Sequence, residues 1–282
     1  MLTIKEVLLR TADFFKGKGF ENPKLDAELL LSHGLGMHSR LDLYLQHDRP
    51  LEEAALEKVR PLVKRRAKGE PLQYIEGKAN FMGVDFLVDP RVLIPRPETE
   101  ELVEEIEKLL DGQQIDRILD LGTGSGVLAL TLARMFGDAE VVAGDISIGA
   151  LEVARENAAV QELLCRVTFL ESDWFAKVAG NFDLIVSNPP YLTKQELEEA
   201  EAQVREWEPG LALVSGGESG EDCLFRVMEG AIGRLSEGGL LAMESGIAQR
   251  GILESKAREL GFCEFWSEAD LSGRDRFFFA RR

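Results

Sequence analysis

Past residue 116, apolar residues gather in short runs at 117–121, 141–144, 167–170, 182–186 and 239–243, separated by stretches in which they recur at helical spacing, as in 127–136. Runs of this length read as strands buried on both faces. Their alternation with helices predicts an α/β fold with a mostly parallel sheet. The last runs, 262–266 and 276–280, follow one another with no helical stretch between them, which predicts an antiparallel strand at the C-terminal end of the sheet. Ahead of these, the pattern is helical. Thr3 and Glu6 are spaced as a capping box before Val7, Leu8 and Phe14; Asn22-Pro23 opens a second helix ending near Gly34 or Gly36; a third runs over 51–67 and closes at Gly69. The predicted organisation is a small helical bundle over 1–75, a hairpin linker over 76–95 carrying Phe81, Val84, Phe86 and Val88 around Gly83, and the sheet domain over 96–282.

Composition narrows the classes. The chain has 282 residues, 45% of them apolar, which is ordinary for a water-soluble protein with one sizeable core and a small extra domain. Residues 1–6 lack the apolar region of a signal peptide and no apolar run approaches a spanning helix, so a cytoplasmic protein without membrane association is expected. Cys165, Cys223 and Cys263 are odd in number and far apart, against a disulfide framework or a zinc pair. All three histidines, His33, His38 and His47, precede the sheet domain, which therefore has no imidazole base or histidine metal ligand; no metal is expected.

The net charge of −17 is unevenly shared: residues 1–80 hold 14 Lys+Arg against 12 Asp+Glu, net +2, leaving 19 against 38, net −19, for 81–282. Such an acidic region repels a phosphate backbone, which argues against duplex DNA and bare RNA as substrates and favours a protein substrate. The cluster Arg60, Lys64, Arg65, Arg66 and Lys68 is expected as a solvated helix face in preference to a docking site for an acidic partner, and Glu196, Glu198, Glu199, Glu201, Glu206 and Glu208 as a solvated helix that could also serve as a lid.

Chemistry concentrates at the carboxyl ends of the expected strands, where open α/β sheets bind ligands. Asn188-Pro189-Pro190-Tyr191 directly follows the apolar run 182–186. Two prolines fix the backbone and carry no N–H, so the Asn188 amide oxygen and neighbouring carbonyls are free to accept from an NH2 group. Tyr191 offers an apolar face and a hydroxyl expected to reach solvent or substrate. Upstream, Gly122-Thr123-Gly124-Ser125-Gly126 links a strand to a helix, the arrangement in which backbone approaches a ligand closely. Val127 stands where a dinucleotide loop needs glycine or alanine, so the pattern fits S-adenosyl-L-methionine better than a nicotinamide cofactor. Asp145, ending the next strand, suits a ribose diol, with capping of the following helix as the plainer reading. Asp173 and Trp174 suit the amine and ring face of an adenine; a surface loop is the plainer reading.

These motifs, with Pro71-Leu72-Gln73-Tyr74-Ile75-x-Gly77 and Val92-Leu93-Ile94-Pro95-Arg96-Pro97-Glu98-Thr99-Glu100, make the chain resemble the peptide chain release factor N5-glutamine methyltransferases, the PrmC/HemK family, along nearly its whole length. The resemblance implies a Rossmann-like class I S-adenosylmethionine methyltransferase domain behind a helical substrate-recognition domain. It implies methyl transfer to the glutamine of a Gly-Gly-Gln loop in class I release factors, with Asn188 and Pro189 holding the glutamine amide. It also implies cofactor contacts at Gly122 to Gly126, Asp145, Trp174 and Asn188, and a wall of the substrate and cofactor pocket at Arg96-Pro97; the plainer reading of Pro97 is the first turn of a helix. The chain departs from the family pattern in 216–224 and at Ser245 within Glu244-Ser245-Gly246, both expected to lie outside the amide clamp.

The amide chemistry follows from the residues themselves. An amide nitrogen is a poor nucleophile because its lone pair is delocalised, and two fixed acceptors for its hydrogens both orient it and oppose the positive charge that grows on it. No strong base is required. Two alternatives use the same features: an N-methyltransferase for an exocyclic amine of a nucleic-acid base, and a binding module that senses cofactor without turnover.

Overall fold

A computed structural model describes residues 1–282, and the chain divides into two compact units, Met1–Lys78 and Ala79–Arg282. The first is helical: α1 (Ile4–Gly17), α2 (Pro23–Gly34), α3 (Arg40–Leu45), α4 (Glu53–Arg66) and α5 (Leu72–Glu76). The Thr3–Glu6 capping box forms as expected, with the Glu6 N–H donating to Thr3 Oγ1 at 3.2 Å and the Thr3 N–H to Glu6 Oε2 at 2.8 Å. α3 has no counterpart in the predicted pattern; six residues is too short a span for periodicity to register. Ile4, Phe15, Leu30, Leu31 and Leu43 are fully buried together. The basic cluster on α4 is not uniformly solvated. Arg66 is largely buried and pairs with the buried Asp26 at 2.8 Å, while Arg65 Nε donates to Glu70 at 2.9 Å, because a buried carboxylate needs a partner.

A hairpin, β1 (Lys78–Phe81) and β2 (Val84–Leu87), starts at the last residue of the first unit and otherwise belongs to the second, where α6 (Pro97–Leu109) follows it. Phe81 and Phe86 are fully buried, edge to face, in the same core as Leu102, Val103 and Ile106 of α6, so the segment expected as a linker supplies core to this unit. Then come β3 (Arg117–Leu121), α7 (Val127–Met135), β4 (Glu140–Asp145), α8 (Ile148–Val160), β5 (Val167–Glu171) and β6 (Phe182–Ser187). They are followed by α9 (Lys194–Glu199), α10 (Ala202–Trp207), α11 (Asp222–Ala231), β7 (Leu235–Glu244), α12 (Arg250–Leu260), β8 (Glu264–Ala269) and β9 (Asp275–Arg281).

Strands β3 to β9 form one seven-stranded sheet in the order β5-β4-β3-β6-β7-β9-β8, parallel from β5 to β7, with β9 antiparallel to both its neighbours; β1 and β2 pair apart from it. Alternate residues of each strand feed opposite cores: Ile118, Leu184 and Val186 meet α6 and α7, whereas Leu119, Ile185 and Leu241 meet α11 and α12. This double burial is why the strands read as unbroken apolar runs. The final pair starts later than expected, at Glu264, because Gly261 (φ 82°) ends α12 and the turn uses Phe262 as packing. Chain order reverses between β3 and β6, so the carboxyl ends of those strands diverge around a crevice. No helix of the chain is long and apolar enough to cross a membrane.

Candidate active site

The crevice is a cavity of about 380 Å³, a size common for small-molecule sites. Its floor is the loop after β3, in which Gly122, Gly124 and Gly126 all adopt left-handed φ of 72°, 55° and 84°. A Cβ on Gly122 would meet nothing, so there the backbone conformation requires glycine and leaves open space for a ligand; a Cβ on Gly126 would come within 3.2 Å of Ala154 Cβ, so that glycine serves packing of the following helices. The loop is braced from beneath. Asp120, fully buried, accepts at Oδ2 from Thr123 Oγ1 (2.6 Å) and the Ala129 N–H (3.0 Å), while its Oδ1 has no partner; burial pushes this carboxyl up to about 7.

Asp145 lies beside the loop at the end of β4. Its Oδ2 accepts from the Gly124 N–H at 2.9 Å and its Oδ1 from the Ser147 N–H at 2.8 Å, and burial raises its pKa. It does not cap α8. Ser147 does, accepting from the Ala150 N–H at 3.1 Å, while Asp145 lines the cavity and each of its oxygens retains acceptor capacity beyond the bonds given. Beyond β5, Asp173 and Trp174 also line the cavity. Trp174 holds a left-handed φ of 46°, fixed by Ser172 Oγ donating to the Trp174 carbonyl at 2.8 Å; exposed Asp173 lies 3.9 Å from Arg226.

Asn188 follows β6 and faces the same cavity. Its Nδ2 donates to Glu244 Oε2 (2.8 Å) and to Thr99 Oγ1 (3.1 Å), while Thr99 Oγ1 donates its own proton to Glu244 Oε2 (2.7 Å). No protein donor engages Asn188 Oδ1, and no backbone hydrogen bond within the protein uses the Pro189 carbonyl. The Tyr191 hydroxyl, expected free for solvent or substrate, is instead donated to Glu244 Oε1 at 3.0 Å; burial and the nearby carboxylate push its pKa well above the ordinary range. Gln249 secures the same segment from behind, Nε2 donating to the Tyr191 carbonyl at 3.1 Å.

The structure thus brings Arg96, Gly122, Thr123, Gly124, Ser125, Asp145, Asp173, Trp174, Asn188 and Pro190 to one cavity, whereas Pro97, Gly126, Pro189 and Tyr191 stand behind its lining. Pro97 opens α6, and Pro189 is buried beneath the rim. Arg96 Nη2 donates to Glu208 Oε1 at 2.6 Å, and Glu208 Oε2 accepts from the Ile94 N–H at 3.2 Å. Glu208 is accordingly not part of a solvated acidic helix. It is buried, and the segment 194–207 forms two short helices in place of the single one expected.

Glu244, expected to lie apart from Asn188, is hydrogen-bonded to it. The sequence signal for this is position: like Asp145, Glu244 ends a buried strand, and the register pairing Ser187 with Met243 sets it beside Asn188.

Two family models match the chain, the PrmC N-terminal domain over residues 6–77 and the methyltransferase small domain over 98–218. Release factor glutamine methyltransferases are similar to it throughout: that of Geobacter sulfurreducens is 42% identical, covering 97% of this chain and 95% of the relative, and that of Moorella thermoacetica is 41% identical, covering 100% and 99%. Among solved structures, a methyltransferase from Pyrococcus furiosus (TM-score 0.55, 20% identity, 71% of this chain and 90% of that one) shares the fold. So does a T. thermophilus 16S rRNA methyltransferase in complex with AdoMet and guanosine (TM-score 0.53, 23% identity, 73% and 49%).

Proposed function

Since the chain belongs to the release factor glutamine methyltransferase family, we propose that it methylates the side-chain amide nitrogen of the glutamine in the Gly-Gly-Gln motif of class I release factors, in the cytoplasm and without a nucleic-acid substrate. The observation that carries this reading is the orientation of Asn188. With both Nδ2 hydrogens committed to Thr99 and Glu244, the amide offers its oxygen to the cavity, and the adjoining Pro189, buried behind the lining, has a carbonyl that no group of the protein engages. Two fixed acceptors match the two hydrogens of a carboxamide NH2.

S-adenosylmethionine, when bound, supplies an electrophilic methyl group on a sulfonium. The residues present fit it: open glycine positions at Gly122 and Gly124, acceptor lone pairs on Asp145, and the indole of Trp174, all on one cavity. Asn188 Oδ1 and the Pro189 carbonyl hold the substrate amide by its hydrogens, fixing the direction of the nitrogen lone pair. They also stabilise positive charge as it develops on nitrogen, an orientation and electrostatic effect of several kcal/mol. Once alkylated, the nitrogen is acidic enough to lose a proton to water. The helical unit at the N-terminus serves substrate recognition. The net charge of −19 on residues 81–282 disfavours the reading as a nucleic-acid base methyltransferase.

Labelled-methyl transfer with purified release factor, bulk RNA and duplex DNA offered in parallel tests the reading. Label is expected on the release factor alone, located by mass spectrometry on the Gly-Gly-Gln glutamine. Asn188→Ala is expected to abolish transfer while cofactor binding persists. Label on nucleic acid instead, no label anywhere, or wild-type turnover in Asn188→Ala overturns it.

A further inference from the structure

We propose that Glu244 is a positioning residue for methyl transfer: its carboxylate, together with the Thr99 hydroxyl, dictates which end of the Asn188 amide meets the substrate. The inference rests on the reading of Asn188 as the amide clamp and goes beyond it, since nothing in that reading says why Asn188 should present oxygen.

The two ends of an asparagine amide are nearly the same size but opposite in hydrogen-bonding sense, and rotation about the last side-chain bond exchanges them. Presented to a substrate NH2, the oxygen accepts and the nitrogen opposes donor to donor. What excludes the wrong orientation here is the chemistry behind Asn188. Glu244 Oε2 lies 2.8 Å from Nδ2, and Thr99 Oγ1 lies 3.1 Å from it. The single Thr99 hydroxyl proton is directed at Glu244 Oε2, at 2.7 Å, so towards Asn188 this hydroxyl has only a lone pair. A flipped Asn188 would set its oxygen against two acceptors and forfeit both hydrogen bonds, in surroundings where an unpaired polar atom is costly.

An ionised carboxylate suits this role because it has no donor of its own; burial raises the Glu244 pKa, and the hydrogen bonds from Thr99 and Tyr191 act against that rise. Glutamine at the same place could face Asn188 with either end, and the discrimination would be lost with little change in shape. Glu244 is only 1% exposed, and its position is fixed by the sheet: Met243 pairs with Ser187 on one side and Glu244 with Phe277 on the other. The Tyr191 hydroxyl, donated to Oε1 at 3.0 Å, holds the remaining oxygen. Three donors thus converge on one buried carboxylate, which satisfies a group that would otherwise be expensive to bury.

The test uses the full-length enzyme with release factor as methyl acceptor, comparing Glu244→Gln, Thr99→Val and Thr99→Ser with the wild type. For Glu244→Gln, kcat is expected to fall roughly 10- to 100-fold, the scale of misplacing one reacting group, with cofactor affinity unchanged by calorimetry. Thr99→Val, which keeps the shape but loses the hydroxyl, is expected to lower kcat less severely, and Thr99→Ser to restore it. Wild-type kcat in Glu244→Gln, or a parallel loss of cofactor affinity and kcat, overturns the assignment. If Glu244→Gln does not fold, the threonine pair decides, and equal rates for Thr99→Val and Thr99→Ser overturn it. Failure of the underlying clamp would look different, as full turnover in Asn188→Ala.

Discussion

Arg96 Nη2 lies 2.6 Å from Glu208 Oε1, joining the residue ahead of α6 to one 112 positions further along the chain. The pair is unequal: the Glu208 side chain is 1% exposed and that of Arg96 is 30%. Arg96, Pro209, Leu211, Ala212 and Val214 line the same cavity, so this ion pair ties two walls of the site to each other.

Removing the arginine should therefore cost more than neutralising the acid. Arg96→Met leaves a buried carboxylate supported only by the Ile94 N–H, and a loss of about 2 kcal/mol is expected, below the full range for a buried pair because Arg96 is partly solvated. Glu208→Gln removes the buried charge and keeps one of the two acceptor oxygens, so it forfeits one contact without stranding a carboxylate and should lose less. Urea denaturation of the two variants checks the order; equal losses would contradict it.

Asp120 makes stability depend on pH in the direction opposite to an ordinary salt-bridged carboxylate. Its folded pKa of about 7 exceeds the unfolded value, so the folded state retains a proton that the unfolded state gives up. Its contribution is most favourable below about pH 4 and is lost as pH rises to about 7, with a slope approaching 1.4 kcal/mol per pH unit. Asp120→Asn keeps an acceptor for Thr123 and Ala129 but cannot ionise. Melting curves at pH 5 and pH 8 should show a larger drop for the wild type than for the variant.

Gly122 and Gly126 share a left-handed backbone but not its surroundings. Gly126→Ala adds a close approach to Ala154 to the conformational strain, and a loss of about 2 kcal/mol is expected from backbone and packing together. Gly122→Ala carries only the strain, about 1 kcal/mol. Its methyl group would enter open space, so its larger effect should be weaker cofactor binding in calorimetry.

Trp174→Ala removes an aromatic wall of the cavity without touching the Asn188 network. Cofactor affinity is expected to fall about tenfold, in line with the worth of an aromatic contact, while kcat at saturating cofactor stays near wild type. A selective loss of kcat would place Trp174 in the chemistry instead.

Much of the site was legible in the sequence because its pieces are local. Gly122 to Gly126, Asp145, Asp173-Trp174 and Asn188 each stand at the end of an apolar run, and a parallel sheet necessarily brings such ends to one edge. The errors concern partners distant in sequence. Glu208 looked like one more acid in an acidic stretch, and the Tyr191 hydroxyl looked free, because the groups that engage them lie 112 and 53 positions away.

By itself, then, the sequence determined the α/β alternation, the position of the glycine loop after β3 and that of the Asn-Pro-Pro-Tyr segment at the end of β6, since strand burial, glycine backbone and proline geometry act over a few residues. Only the tertiary structure decided how that rim is aimed. Thr99, Asn188, Tyr191 and Glu244 come from α6, the four-residue segment after β6, and the end of β7. The direction of a hydrogen bond among them is set by sheet register and burial, which no local pattern encodes.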